Sequence, residues 1–86
     1  PFAFDMLTEA AVVGLLSKEG IDAFKKEYAK SVANVTDAQK EILQVLQHDG
    51  YLKKTAAGFG FESKLLKDWW KNRHEISFTS VLKRGV

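Results

Sequence analysis

The sequence predicts an all-α fold: a compact bundle of four to five short helices with a C-terminal helix-turn-helix. Three observations predict it. The only proline is Pro1, so no internal residue breaks a helix by removing its amide. Apolar residues recur at steps of three and four through most of the chain. Capping residues and glycines punctuate those runs at spacings that suit short helices. The 86 residues are 45% hydrophobic and 28% charged, which fits one globular domain. Within the single domain 1–86, residues 1–35 read as an N-terminal helical pair, 36–75 as a helix-turn-helix-like unit and 76–86 as a tail.

Each element has its own signal. Residues 5–20 read as a helix, with Asp5 or Thr8 as cap and Gly20 as its stop. In residues 21–34, Ile21, Phe24, Tyr28 and Val32 make one helical stripe, and Lys25, Lys26, Glu27 and Lys30 cover the outside. Residues 36–50 give the strongest helix. Thr36 is its cap, Asp37 complements the positive end of the dipole, and Ala38, Ile42, Leu43 and Leu46 form its inner face. Gly50 suits the left-handed position that ends it. A short helix is expected over 52–57, a turn at Gly58 and Gly60, and a last helix from about Glu62 or Ser63 to His74. The tail offers three alternatives: a short strand, a final helical turn or an arm docked on the core. Phe24, Tyr28, Leu43, Leu46, Phe59, Phe61, Leu66 and Trp69 are expected at the centre of the core, and both tryptophans are expected to be buried.

Composition excludes several chemistries. The chain has no cysteine, so it offers no disulfide, thiolate zinc site or Cys nucleophile, and it fits an intracellular setting, cytoplasm or nucleus. No apolar run reaches membrane-spanning length, so no membrane is expected as a partner. His48 and His74 are too few and too far apart in sequence for a metal site, and no cofactor is expected. Gly58-Phe59-Gly60 lacks the Lys-Ser/Thr ending of a phosphate loop, Ser63 is simply an N-cap, and no carboxylate pair stands out. The expectation is a protein that is not an enzyme.

Charge points further. Residues 1–50 carry a formal charge of −3 and residues 51–86 carry +5. That asymmetry raises the case for an acidic partner on the second half. Between Thr55 and Trp69, a small residue (Ala56), a glycine four residues later (Gly60) and an apolar residue after it (Phe61) follow helix-turn-helix spacing. Beyond the turn, Leu65, Leu66, Trp69 and Trp70 cluster on one face of the helix. Lys64, Lys67, Lys71 and His74 form a cationic stripe on another, with Asn72 and Arg73 at its edge. A helix so divided suits the major groove: lysines neutralise phosphates, and Asn pairs with an adenine edge.

Residues 69–73, Trp-Trp-Lys-Asn-Arg, resemble the recognition helix of homeodomain-like proteins, whose signature is Trp-Phe-x-Asn-Arg. The likeness covers roughly residues 36–75. It implies two core aromatics at Trp69 and Trp70, a variable base-reading position at Lys71, an adenine-reading Asn72 and a backbone-contacting Arg73. The same stretch is similar to the helix-turn-helix of small phage and bacterial regulators. The resulting expectation is a transcriptional or replication regulator that binds double-stranded DNA through helix 63–74. Lys71 and Asn72 would meet bases; Lys64, Lys67, Arg73, Lys53 and Lys54 would meet phosphates; Lys83 and Arg84 would add a tail contact. Residues 1–35 would complete the core or serve a homodimer or protein partner. The alternative is a small helical protein-interaction module: an adaptor, an inhibitor, or a virion or immunity-type protein. It would act through the acidic first half or the aromatics Phe2, Phe4, Phe59 and Phe61, and is favoured by Asp68 and Glu75 on the supposed groove face.

Overall fold

Residues 52–61 carry the main departure from the all-α expectation. In the computed structural model, which describes residues 1–85, Leu52–Thr55 (β2) and Gly58–Phe61 (β3) form an antiparallel hairpin. Leu52 lies opposite Phe61 and Thr55 opposite Gly58. The short helix expected over 52–57 is absent, and with it the helix-turn-helix of residues 51–74. Two glycines in β3 weaken a helix, and the aromatic residues between and after them suit a strand. Thr55 Oγ1 donates to the Gly58 carbonyl and accepts from the Ala57 amide, each at 3.2 Å, which holds the turn closed.

A third strand, Leu16–Ser17 (β1), pairs antiparallel with β3, so the sheet order is β1-β3-β2. Gly58 stands where the two backbones approach. Its φ is +149°, and a Cβ there would lie 2.1 Å from the Leu16 carbonyl oxygen. The fold is therefore mixed: four α-helices and a three-stranded antiparallel sheet among the described residues.

β1 also divides the first expected helix in two. Helix α1 runs Phe2–Val12. The β-branched pair Val12–Val13 weakens its end, and Gly14, at φ +94°, turns the chain away. Ser17 then caps α2 (Lys18–Tyr28), its Oγ accepting from the Gly20 amide at 3.0 Å. Gly20 is thus not a stop. It sits in the first turn of α2, close against Leu16 and Val81.

Helix α3 spans Val35–His48, near the expected bounds, but its N-cap is Asn34 in a left-handed conformation rather than Thr36. Gly50, at φ +82°, takes the left-handed position foreseen for it. Helix α4 covers Lys64–His74 and is capped by Ser63, whose Oγ accepts from the Leu66 amide at 3.1 Å.

Helix α1 is the hub, touching α2, α3, α4, β1 and β3. Its Phe2, Met6, Leu7 and Ala10 pack with Leu16, Phe24, Leu43, Leu46, Leu52, Phe59 and Phe61 into one core. Gln39 is buried in α3 and donates to the Ile21 carbonyl at 2.9 Å, so its burial leaves no polar group unpaired. Residues 1–35 therefore complete the core, one of the roles foreseen for them.

The tail docks as an arm with short 3-10 turns at Glu75–Ser77 and Val81–Lys83. Val81 enters the core, and Ser80 Oγ and the Val81 amide both donate to the carboxylate of Glu9, at 2.6 and 3.0 Å. No helix among the described residues is long and apolar enough to cross a membrane.

Candidate interaction surface

Two adjacent tryptophans on a helix point about 100° apart, so a helix packed on one side cannot bury both equally. In α4 the inward one is Trp70. Its indole N–H donates to Thr8 Oγ1 at 3.0 Å, and Thr8 in turn donates to the Phe4 carbonyl at 2.7 Å. The Trp70 ring lies 5.5 Å from Phe4, 5.4 Å from His74 and 6.5 Å from Phe61. These contacts pin α4 to α1. Trp69, expected in the core, points outward and is 52% exposed. The inner positions go to Leu66 and Trp70.

Trp69 does not stand alone. Leu65, Trp69, Asn72 and Ile76 follow one another at steps of four, three and four residues and so share one face. Leu65 is 83% exposed, and Ile76, in the 3-10 turn that prolongs the helix, is 98% exposed. Leu65, Trp69 and Ile76 are thus three exposed large apolar side chains along one line, broken by Asn72. Arg73 lies over the Trp69 ring, its Cζ 4.9 Å from the centroid.

Charged side chains of both signs surround this line: Arg73 lies on one side, Asp68 and Glu75 on the other, and Lys67 and Lys71 are turned away from it. Lys64 Nζ donates to Asp68 Oδ2 at 2.7 Å. That bond, with the charges of Lys64, Lys67 and Lys71, outweighs desolvation and holds the Asp68 carboxyl below its ordinary value, so the pair is neutral as a unit. Among the described residues no carboxylate pairs with Lys67, Lys71 or Arg73. Lys53 and Lys54 are exposed on β2, an outer strand of the sheet, and form no part of α4. The structure thus brings Lys64, Lys67, Lys71, Asn72 and Arg73 onto one helix, on several of its faces, with Lys53 and Lys54 on the hairpin. Arg84 is occupied within the fold: its guanidinium pairs with Asp5 at 2.7 Å and with Glu27 at 3.0 Å.

A second surface lies on α3. Asp37, Glu41, Gln44, Val45 and His48 form its exposed stripe, with Val45 51% exposed. Between this stripe and α1, Ala3, Glu41, Ile42, Val45 and Leu46 line an open groove of about 280 Å³. Sequence reasoning missed this groove. Its only local signal is Val45, an apolar residue off the inner stripe of an otherwise regular amphipathic helix.

The chain order is helix, strand, helix pair α2–α3, hairpin β2–β3 and helix α4, with β1 joined to β3 and α4 packed on α1. No family model matches the chain, and neither the curated proteins nor the solved structures yield a match.

Proposed function

We propose that this domain is a non-catalytic protein-docking module and that its contact surface is the outer face of α4. The observation that carries the reading is the exposure of Leu65 and Trp69 on one face, while the next tryptophan is packed and hydrogen-bonded. The burial of two such side chains supplies most of a small interface's affinity, and Arg73, beside Trp69 and without a carboxylate partner among the described residues, favours an acidic partner. The partner chemistry is an amphipathic segment with an apolar stripe and acidic edges.

Duplex DNA remains the second reading, and one observation favours it: Lys67, Lys71 and Arg73 lack ion-pair partners and Asn72 is exposed on the same helix. Two others weigh against it. Leu65 and Trp69 occupy most of the outermost line of α4, where a groove needs hydrogen-bonding groups, and Asn72 is the one such group there. Helix α3, the other helix with a broad exposed face, carries Asp37 and Glu41 on its first two turns, which phosphates repel.

Titration of a labelled acidic amphipathic peptide and of a labelled random duplex, each at two salt concentrations, separates the two. Docking predicts that Leu65→Ser/Trp69→Ser weakens peptide binding at least about tenfold, the loss expected on removing an interface anchor. Duplex binding that falls steeply with salt, vanishes in Lys67→Ala/Lys71→Ala and survives the apolar changes would replace docking with DNA binding.

A further inference from the structure

The C-terminal arm, residues 78–85, lies in a seat formed by α1 and α2. Among the described residues no backbone–backbone hydrogen bond joins it to the rest of the chain. Its polar contacts to the body all end on three carboxylates. Ser80 and the Val81 amide donate to Glu9, and Arg84 donates to Asp5 and Glu27. Val81 lies against Gly20, and the Arg84 guanidinium lies over the Phe24 ring, 5.4 Å from its centroid. The arm does not fill the seat. An open cleft of about 760 Å³ remains between it and the outer face of α2, lined in part by Glu19, Ala23, Lys26 and Leu82. Leu82 stands at this cleft 53% exposed. We infer that the seat is a second docking site, separate from the α4 face and blocked in cis by the arm. Its occupant in trans is a segment of a partner protein: a hydroxyl residue, a β-branched residue, a large apolar residue and, two positions further, an arginine.

Each element of that pattern answers to a group in the seat. Glu9 is buried, and its two oxygens take one O–H and the next backbone N–H, which selects a hydroxyl residue. Beside Gly20 there is room for a side chain the size of Val81. Asp5 and Glu27 hold both terminal nitrogens of a guanidinium while Phe24 takes its face, an arrangement that an ammonium cannot match. The cleft beside Leu82 lacks partner atoms, so a larger apolar side chain at that position gains contacts. Lys26 and Lys30 line the same cleft as Glu19 and Asp22, so the seat asks for an arginine at one place and not for general positive charge. The arm of a second copy would make only the contacts that the resident arm already makes, and exchange would gain nothing. A foreign segment that fills the cleft gains over the arm, and must do so, because the tether holds the arm at an effective concentration on the order of millimolar.

The test titrates the full chain with a fluorescent peptide of the sequence of residues 78–85, with the same peptide carrying Leu82→Trp, and with one carrying Arg84→Met. The proteins are the wild type, Arg84→Met, which loosens the arm and leaves the seat intact, and Arg84→Met/Glu27→Lys, which also alters the seat. Thermal melts confirm that each folds, and Ser80→Ala, which removes a single side-chain contact to Glu9, is the gentler way to loosen the arm. The Arg84→Met protein should bind the arm peptide at least about tenfold more tightly than the wild type, because its tethered competitor is weakened. The Leu82→Trp peptide should bind more tightly still. The Arg84→Met peptide, and the added Glu27→Lys change, should each cost at least about tenfold. In the wild type, bound Leu82→Trp peptide should strip hydrogen-exchange protection from the Val81 amide, because the arm has left. No binding to the loosened protein at about 1 mM, equal binding of the arginine and methionine peptides, or binding that leaves Val81 protected each overturns the inference. A wild type that dimerises in sedimentation and is split by the peptide gives the seat to the arm of a second copy and overturns the partner segment. Leu65→Ser/Trp69→Ser should bind these peptides as the wild type does, so this site and the α4 face stand or fall separately.

Discussion

The guanidinium of Arg84 meets the carboxylate of Asp5 through two hydrogen bonds, 2.7 and 3.0 Å long, which join the end of the chain to its first helix. Tyr28 donates to the same carboxylate at 2.7 Å, and Glu27 accepts from the same guanidinium. Three distant segments therefore converge on one charged cluster at the edge of the core.

This cluster sets an acid limit on stability. Burial raises the Asp5 pKa, but the hydrogen bonds from Arg84 and Tyr28 and the charge of Arg84 outweigh it, so the net shift is downward from 3.8. A depressed carboxylate contributes fully above its unfolded value and loses that contribution as pH falls through its folded value. Chemical denaturation should show Asp5→Asn to be less stable than wild type at pH 7, with the difference shrinking below about pH 4. Arg84→Met should cost about 1.5–2 kcal/mol near neutrality, in the range for hydrogen bonds to charged groups.

Glu9 is the deeper anchor. It is buried in α1 and accepts from Ser80 and from the Val81 amide. Glu9→Gln replaces two charge-assisted bonds by neutral ones and forces Ser80 Oγ to accept instead of donate, and should destabilise by about 1–2 kcal/mol. Ser80→Ala should cost about 1 kcal/mol. Hydrogen exchange is the check. In Glu9→Gln the Val81 amide should lose protection well before the amides of α3.

The two tryptophans should separate cleanly. Trp70→Ala removes packing against Phe4, Phe61 and His74 and a hydrogen bond to Thr8, and should cost about 3 kcal/mol. Trp69→Ala should change stability by less than about 1 kcal/mol. Iodide should quench the Trp70→Phe variant, which keeps only Trp69, more strongly than the Trp69→Phe variant.

Two glycines of one strand should respond in opposite ways. Gly58→Ala would put a Cβ into the Leu16 carbonyl and should destabilise by at least about 2 kcal/mol, with loss of the β1–β3 pairing. Gly60 has no heavy atom within 4 Å of its Cβ position, so Gly60→Ala should stay within about 1 kcal/mol of wild type. Urea midpoints for the pair measure the contrast.

Local chemistry made much of this fold legible in the sequence. The cap at Ser63, the left-handed Gly50 and the inner stripe of α3 through Leu43 and Leu46 all follow from residue types a few positions apart. Two-residue β1 was not legible, because so short a strand has no period of its own and exists only through its partner β3. The hairpin at 52–61 was misread for a related reason. Ala56, Gly60 and Phe61 match helix-turn-helix spacing, but glycines on both sides of Phe59 also suit a strand, and pairing with β1 decides between them.

The candidate surface divides in the same way. Sequence alone determined that residues 64–74 form a helix bearing two tryptophans and a set of cations, because helical periodicity and capping act over four residues. Which tryptophan faced solvent was decided by the tertiary structure. Thr8 and Phe4 of α1, some sixty positions earlier in the chain, supply the hydrogen bond and the aromatic contact that draw Trp70 inward, and a helix that buries one of two adjacent side chains must turn the other toward solvent.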